Sequence, residues 1–138
     1  MSANKIFVDT NVLIYAFAID EPDKRKKIIE SLENSRIVVS TQVLKEFANV
    51  ALKKGYADNK LVKTIIADLS DFAEVVTEDL LLILESIDIR EKYKYSFYDS
   101  LIIAAALKSR CQTLFSEDMQ DGQAIDESLT IKNPFSRN

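Results

Sequence analysis

The chain of 138 residues is predicted to fold as an α/β protein, with a short-stranded, mainly parallel sheet covered on both faces by helices. Three observations carry this. Short apolar, β-branched runs recur along the chain (IFV at 6–8, IVV at 37–39, TLF at 113–115). Longer segments of helical period separate them, and strands alternating with helices pair in parallel and are buried by the crossovers. No linker, repeat or low-complexity segment interrupts the alternation, so residues 1–138 are expected to form one domain.

The elements follow in order. Lys5 to Asp9 reads as a short buried strand. Thr10 to Ala18 reads as a helix, because Val12, Leu13, Ala16 and Phe17 share one face. Pro22 starts a second helix that runs to about Glu33, and Arg36 to Val39 is a second strand. Thr41 to Lys54 is a helix with a basic last turn and Gly55 just beyond its end. Asp58 caps the next helix, which reaches about Ser70. Ala73 to Val76 is a strand and Glu78 to about Lys92 a helix. Phe97 to Lys108 is apolar almost all round, which predicts a central buried helix. Thr113 to Phe115 is a further strand and Leu129 to Ile131 a last one.

Absences exclude whole classes of chemistry. The chain has no histidine, which removes Ser-His-Asp and Cys-His catalysis and the common zinc sites. Its one cysteine, Cys111, excludes a disulfide framework and reads as a packing residue. Gly55 and Gly122 are the only glycines, too few for a Walker A loop or a dinucleotide-binding fingerprint. The opening MSANK has no signal-peptide character, and the longest apolar runs, such as Leu80 to Leu84, are too short to span a bilayer. The protein is therefore expected to be cytoplasmic, with no membrane association. A net charge of -4 argues against binding nucleic acid through bulk positive charge, although a local basic surface remains open.

Against this background four acids stand in or directly after apolar segments: Asp9, Glu46, Asp99 and Asp118. A carboxylate beside apolar surface is costly unless something compensates it. Asp9 and Asp118 follow strands, and open α/β sheets bind ligands beyond the carboxyl ends of their strands. Glu46 shares a helical stripe with Val43 and Val50, and Asp99 shares one with Ile102, Ile103 and Ala106. Together they suggest one acidic site for a hard divalent cation, Mg²⁺ or Mn²⁺, which prefers carboxylate and water oxygens. Such a site hydrolyses phosphodiesters without a histidine. Each acid also has a local structural reading. Asp9 suits a helix cap, and Ser96 with Asp99 forms a capping-box pattern. Glu46 suits a pair with Lys45 or Lys53, and Asp118 a turn with Asp121 and Gly122.

The segments FVDTNVLIYAF, VVSTQVLKEF and FYDSLIIAAALKSRCQTLFSEDMQDG, in that order, resemble the PIN-domain ribonucleases, specifically the short VapC-type toxins of bacterial toxin–antitoxin systems. The resemblance covers essentially the whole chain. It implies a three-layer α/β/α sandwich and Mg²⁺- or Mn²⁺-dependent endoribonuclease activity. It makes Asp9, Glu46, Asp99 and Asp118 the catalytic acids. Asp9 and Asp99 would be direct metal ligands, Glu46 and Asp118 direct or water-mediated ones, and Asp121 a further, secondary acid. A homodimer and a small antitoxin partner that occludes the site are implied as well. Thr10, Asn11, Ser40 and Ser116 are candidates to orient carboxylates or water, each with capping as the alternative.

RNA contacts are sought in two stretches. Lys24-Arg25-Lys26-Lys27 suits phosphates or a solvated face. Lys92-Tyr93-Lys94-Tyr95 with Phe97-Tyr98 interleaves bases with aromatics before Asp99, as single-stranded RNA favours, although aromatics leading into a buried helix more often belong to the core. Tyr98 is assigned to packing. Other classes fit less well. A haloacid dehalogenase-type phosphatase usually wants a second aspartate where this chain has Asn11, and a phosphoacceptor receiver wants an aspartate where Ser40 follows Val39. A catalytically silent RNA-binding PIN scaffold is the remaining alternative.

Overall fold

The computed structural model describes residues 4–136, so residues 1–3 of the opening MSANK segment lie outside the described residues. The chain runs β1 (Lys5–Val8), α1 (Thr10–Leu13), a 3-10 turn (Ile14–Ala16), α2 (Pro22–Leu32), β2 (Arg36–Ser40), α3 (Thr41–Lys53), α4 (Asn59–Phe72) and β3 (Glu74–Val76). It continues through α5 (Leu80–Tyr93), α6 (Phe97–Lys108), β4 (Thr113–Phe115), β5 (Ala124–Ile125) and β6 (Leu129–Lys132). The first helix predicted from sequence is thus split: after Leu13 the backbone tightens into the 3-10 turn.

Among the described residues six strands stand in the order β3-β2-β1-β4-β6-β5. Their pairings are parallel except that of β5 with β6. The chain moves outward from β1 to β2 and β3, then returns across the sheet to β4. Right-handed crossovers in opposite directions put α1–α4 on one face and α5–α6 on the other, which gives a three-layer α/β/α sandwich. α6 packs along α5 and lies against β2 and β4. Its segment from Ser100 to Ala106 is wholly buried, as its apolar character predicts. Phe7, Val8, Val38, Val39, Leu114 and Ile131 of the sheet are fully buried between the layers. No helix among the described residues is long and apolar enough to cross a membrane.

Short polar side chains fix the helix starts. Ser40, Asp58, Asp79 and Ser96 each accept a hydrogen bond from the backbone N–H three residues on, at 3.2, 2.8, 2.9 and 3.1 Å. Sequence reading missed the β5–β6 hairpin. Its turn residues are Asp126 and Glu127, both at positive φ (50° and 62°), and the Ser128 N–H donates to the Ile125 carbonyl. Such a turn ordinarily announces itself with Asn-Gly or Asp-Gly. Here side chains hold Asp126 instead: Tyr93 Oη donates to its carboxylate at 2.6 Å and Lys92 pairs with it at 3.0 Å.

Tyr95 ties down the preceding loop. Its hydroxyl accepts from the Gln120 N–H at 3.2 Å and donates to the Gln123 side-chain carbonyl. Of the run with two readings, RNA contact or core, Lys92, Tyr93 and Tyr95 are therefore engaged structurally, latching residues 120–126. Tyr95→Phe should accordingly lower stability by about 1 kcal/mol in a urea unfolding curve and speed amide exchange at Gln120. Unchanged stability and exchange would show that the latch carries no weight.

Candidate active site

Asp9 is the first residue beyond β1, and its N–H donates to the Phe115 carbonyl at 3.0 Å, extending the β1–β4 ladder. β1 and β4 flank the point where the chain direction across the sheet reverses, and in open α/β sheets that crevice binds ligands. Here it opens into a cavity of about 480 Å³. Asp9, Glu46, Asp99 and Asp118 all line it. The structure thus brings the four sequence-predicted acids together, two from strand ends and two from helices.

Neutral groups bond three of these carboxylates. The Asp9 carboxylate accepts from the Thr10 N–H at 2.7 Å and from Ser116 Oγ at 3.0 Å. Thr10 Oγ1 donates to Glu46 at 2.9 Å. Asn11 Nδ2 donates to Asp118 at 2.9 Å, while its Oδ1 accepts from the Glu117 N–H at 3.1 Å. Asn11 therefore braces the acidic loop against α1. Asp9 does cap α1, but that bond uses one carboxylate oxygen and leaves it inside the cavity. Ser96 caps α6 through the Asp99 N–H, which likewise leaves the Asp99 side chain lining the cavity. Glu46 meets Thr10, and Lys45 reaches Glu78 instead, at 3.9 Å.

Two of the residues singled out from the sequence stand elsewhere. Ser40 is buried and its hydroxyl caps α3 by accepting from the Val43 N–H; it is not in the cavity lining. Asp121 is exposed and accepts from the Asn133 N–H at 2.9 Å, which ties the acidic loop to the segment after β6. The capping reading therefore holds for Ser40, while Asp121, expected as a secondary acid, is engaged with a backbone N–H outside the cavity lining. Cys111 is buried against Ser109, and burial pushes its thiol up, in keeping with a packing role.

Sequence reading missed several cavity residues. Glu117, beside Asp118, adds a fifth carboxylate to the wall. It is held by Lys24 Nζ at 3.0 Å and Tyr15 Oη at 3.4 Å, and Lys24 lies 4.4 Å from the Tyr15 ring centre. Lys24, the first residue of the basic run, is thereby turned toward the site, while Arg25, Lys26 and Lys27 are exposed. Tyr15 was legible as the i+4 neighbour of Asn11, and Asn49, Val50 and Lys54 as continuing the stripe of Glu46. Tyr98, assigned to packing from the sequence, is 65% exposed and lines the cavity. Its position second in α6 turns it away from the buried face that begins at Ser100.

The electrostatics suit a cation. Burial pushes Asp9 up to about 6, with the charges of Asp99 and Glu46 adding to the rise and its two hydrogen bonds opposing it. Burial also raises Asp99, helped by the charge of Asp118 and opposed by Ser96. No ion pair among the described residues involves any of the four acids. No three acidic side chains among the described residues stand close enough to form a ready-made ligand cage. An open set of hard oxygens fits Mg²⁺, which keeps several waters and needs only one or two carboxylates.

Asp9 also makes stability depend on pH. Its folded pKa lies above the unfolded value, so without divalent cations stability should fall as pH rises from about 4 to about 6. Above that range the ionised carboxylate costs on the order of 3 kcal/mol. In EDTA, Asp9→Asn should therefore raise the melting temperature at about pH 7.5 and have little effect near pH 4. The same shift at both pH values would contradict the assignment.

Comparison with known proteins agrees with this architecture. Residues 6–121 match the PIN domain. No curated protein matches the chain by sequence. Among solved structures, the Mycobacterium tuberculosis toxin VapC20, a sarcin-ricin loop cleaving toxin, is 19% identical, with TM-score 0.66 over 82% of this chain and 89% of its own. A toxin–antitoxin complex from Klebsiella pneumoniae is 21% identical, with TM-score 0.69 over 94% of this chain and 98% of the other. VapBC2 from Rickettsia felis, bound to a DNA fragment from its promoter, is 19% identical, with TM-score 0.65 over 94% and 98%. The family match spans most of the chain, and the protein belongs to the PIN domain family.

Proposed function

We propose that the protein is a Mg²⁺- or Mn²⁺-dependent endoribonuclease that acts as the toxin of a toxin–antitoxin pair. One observation carries this reading: four carboxylates converge on one cavity at the sheet's switch point, without a cationic partner among the described residues. Asp9 and Asp99 are the residues to hold the ion, with Glu46 and Asp118 completing the site. A divalent cation supplies positive charge for the scissile phosphate and lowers the pKa of a water.

The chain's own groups do the rest. Ser116 and the Thr10 N–H fix the Asp9 carboxylate, and Asn11 fixes Asp118. Thr10 holds Glu46 with one oxygen engaged, leaving the other to take a proton from the attacking water. Since the orienting groups are neutral, they position the carboxylates without cancelling the charge that draws the cation.

Purified protein should cleave single-stranded RNA with Mg²⁺ or Mn²⁺ and stop in EDTA. Asp99→Asn should abolish cleavage, and Asn11→Ala should reduce it roughly 10–100-fold. Full cleavage by folded Asp99→Asn protein would falsify the assignment. RNA binding without cleavage under every metal condition would favour the silent scaffold.

Two further expectations rest on the resemblance to toxin–antitoxin proteins: a small antitoxin that covers the acidic cavity, and a homodimer in the cytoplasm. An exposed apolar row on α5 (Leu80, Leu81, Leu84 and Ile87) supports self-association. Leu84→Glu should shift the sedimenting species from dimer to monomer. A monomeric parent protein would remove this expectation.

A further inference from the structure

Beside the acids, the cavity wall carries two side chains, Tyr98 and Lys54, whose polar ends have no partner among the described residues. Tyr98 directly precedes Asp99, and its ring is 65% exposed. No hydrogen bond involves its hydroxyl among the described residues. Its ring meets Phe97 edge-on at 5.4 Å and 72°, and its backbone carbonyl accepts from Gln42 Nε2 at 3.4 Å. The ring is thus held by Phe97 and remains largely exposed. Lys54, just past the end of α3, is the one cation among the described lining residues, set against five carboxylates. It forms no ion pair among the described residues. It lies eight residues beyond Glu46 on the same stripe, about 12 Å along the helix axis.

We propose that Tyr98 and Lys54 form a binding subsite for single-stranded RNA beside the acidic centre, with an unpaired base stacked on the Tyr98 ring and a phosphate at Lys54. The proposal rests on the ribonuclease reading and adds how the strand is held. A polyanion entering a cavity lined by five carboxylates needs a cation, and among the described lining residues Lys54 provides it. Two helical turns from Glu46, its ammonium meets a phosphate other than the one at the acids. An exposed aromatic on the cavity wall offers a face to any unstacked base, and such stacking is worth about 1–3 kcal/mol. A duplex keeps its bases stacked and presents none to the ring.

The test measures anisotropy of a short, labelled, unstructured oligoribonucleotide with Mg²⁺ in an Asp99→Asn background, which holds RNA intact. Tyr98→Ala should weaken binding about 10-fold and Tyr98→Phe should restore it. Phe72→Ala, which removes a similarly exposed ring far from the cavity (63%), should leave binding unchanged. Lys54→Ala should weaken binding and reduce the slope of log affinity against log salt by about 0.7. In the cleaving enzyme Tyr98→Ala should raise KM more than it lowers kcat. Parent-like affinity of Tyr98→Ala would overturn the subsite and leave the nuclease reading standing. Tyr98-dependent binding by a wild-type protein that never cleaves would keep the subsite and overturn the nuclease reading. A wild-type protein that neither binds nor cleaves single-stranded RNA would overturn both.

Discussion

Asp9 is held at the carboxyl end of the innermost strand, where its carboxylate is nearly dry and faces other acids. An ionised group there is unfavourable in isolation, and only hydrogen bonds or a cation offset the cost. The surroundings are organised around that constraint. The Thr10 N–H and Ser116 satisfy the carboxylate geometrically, and both come from segments that β1 and β4 hold in register. The remaining acids arrive on elements whose positions depend on the same sheet, since α3 follows β2 directly and α6 packs across β2 and β4.

The groups around the acids are neutral on one side and charged on the other. Near Asp9, Glu46 and Asp118 the partners are a hydroxyl, a backbone amide and a carboxamide, which orient without neutralising. At Glu117 the partner is Lys24, which removes that acid's charge from competition. Among the described residues the cavity therefore has a negative floor, a compensated flank and one cation outside any ion pair, Lys54, on the α3 wall. On the proposed reading, this asymmetry would give a polyanion a direction of approach, with its phosphates met at Lys54 beside the acids.

Much of this was legible in the sequence because each element declared itself by period. The burial of α6 followed from LIIAAA, and the caps at Asp58 and Ser96 from residue type. The four acids could be grouped because apolar neighbours made each one anomalous. The hairpin was not legible because Asp126 and Glu127 adopt positive φ with help from Tyr93 and Lys92, which are distant in sequence. Tyr98, assigned to packing, was misread for the same reason. Whether a tyrosine latches a loop or faces solvent depends on what packs opposite it, and Tyr95 and Tyr98 differ by three positions on opposite sides of a helix start. Ser40 and Asp121 likewise have the right residue type and proximity, yet a backbone N–H claims each.

Through the Asp9–Phe115 ladder bond, the two halves of the site differ in permanence. Asp9 and Ser116 belong to the central β1–β4 pair, which opens only when the sheet itself comes apart. Asp118 sits on a loop held by Asn11, the Lys24–Glu117 pair, the Tyr95 latch and the Asp121–Asn133 bond, mostly side-chain contacts that can open locally without disturbing the sheet. The site therefore straddles two tiers of stability, a permanent half built with the fold and a half assembled on it. Small local changes can switch the second half off and leave the protein folded.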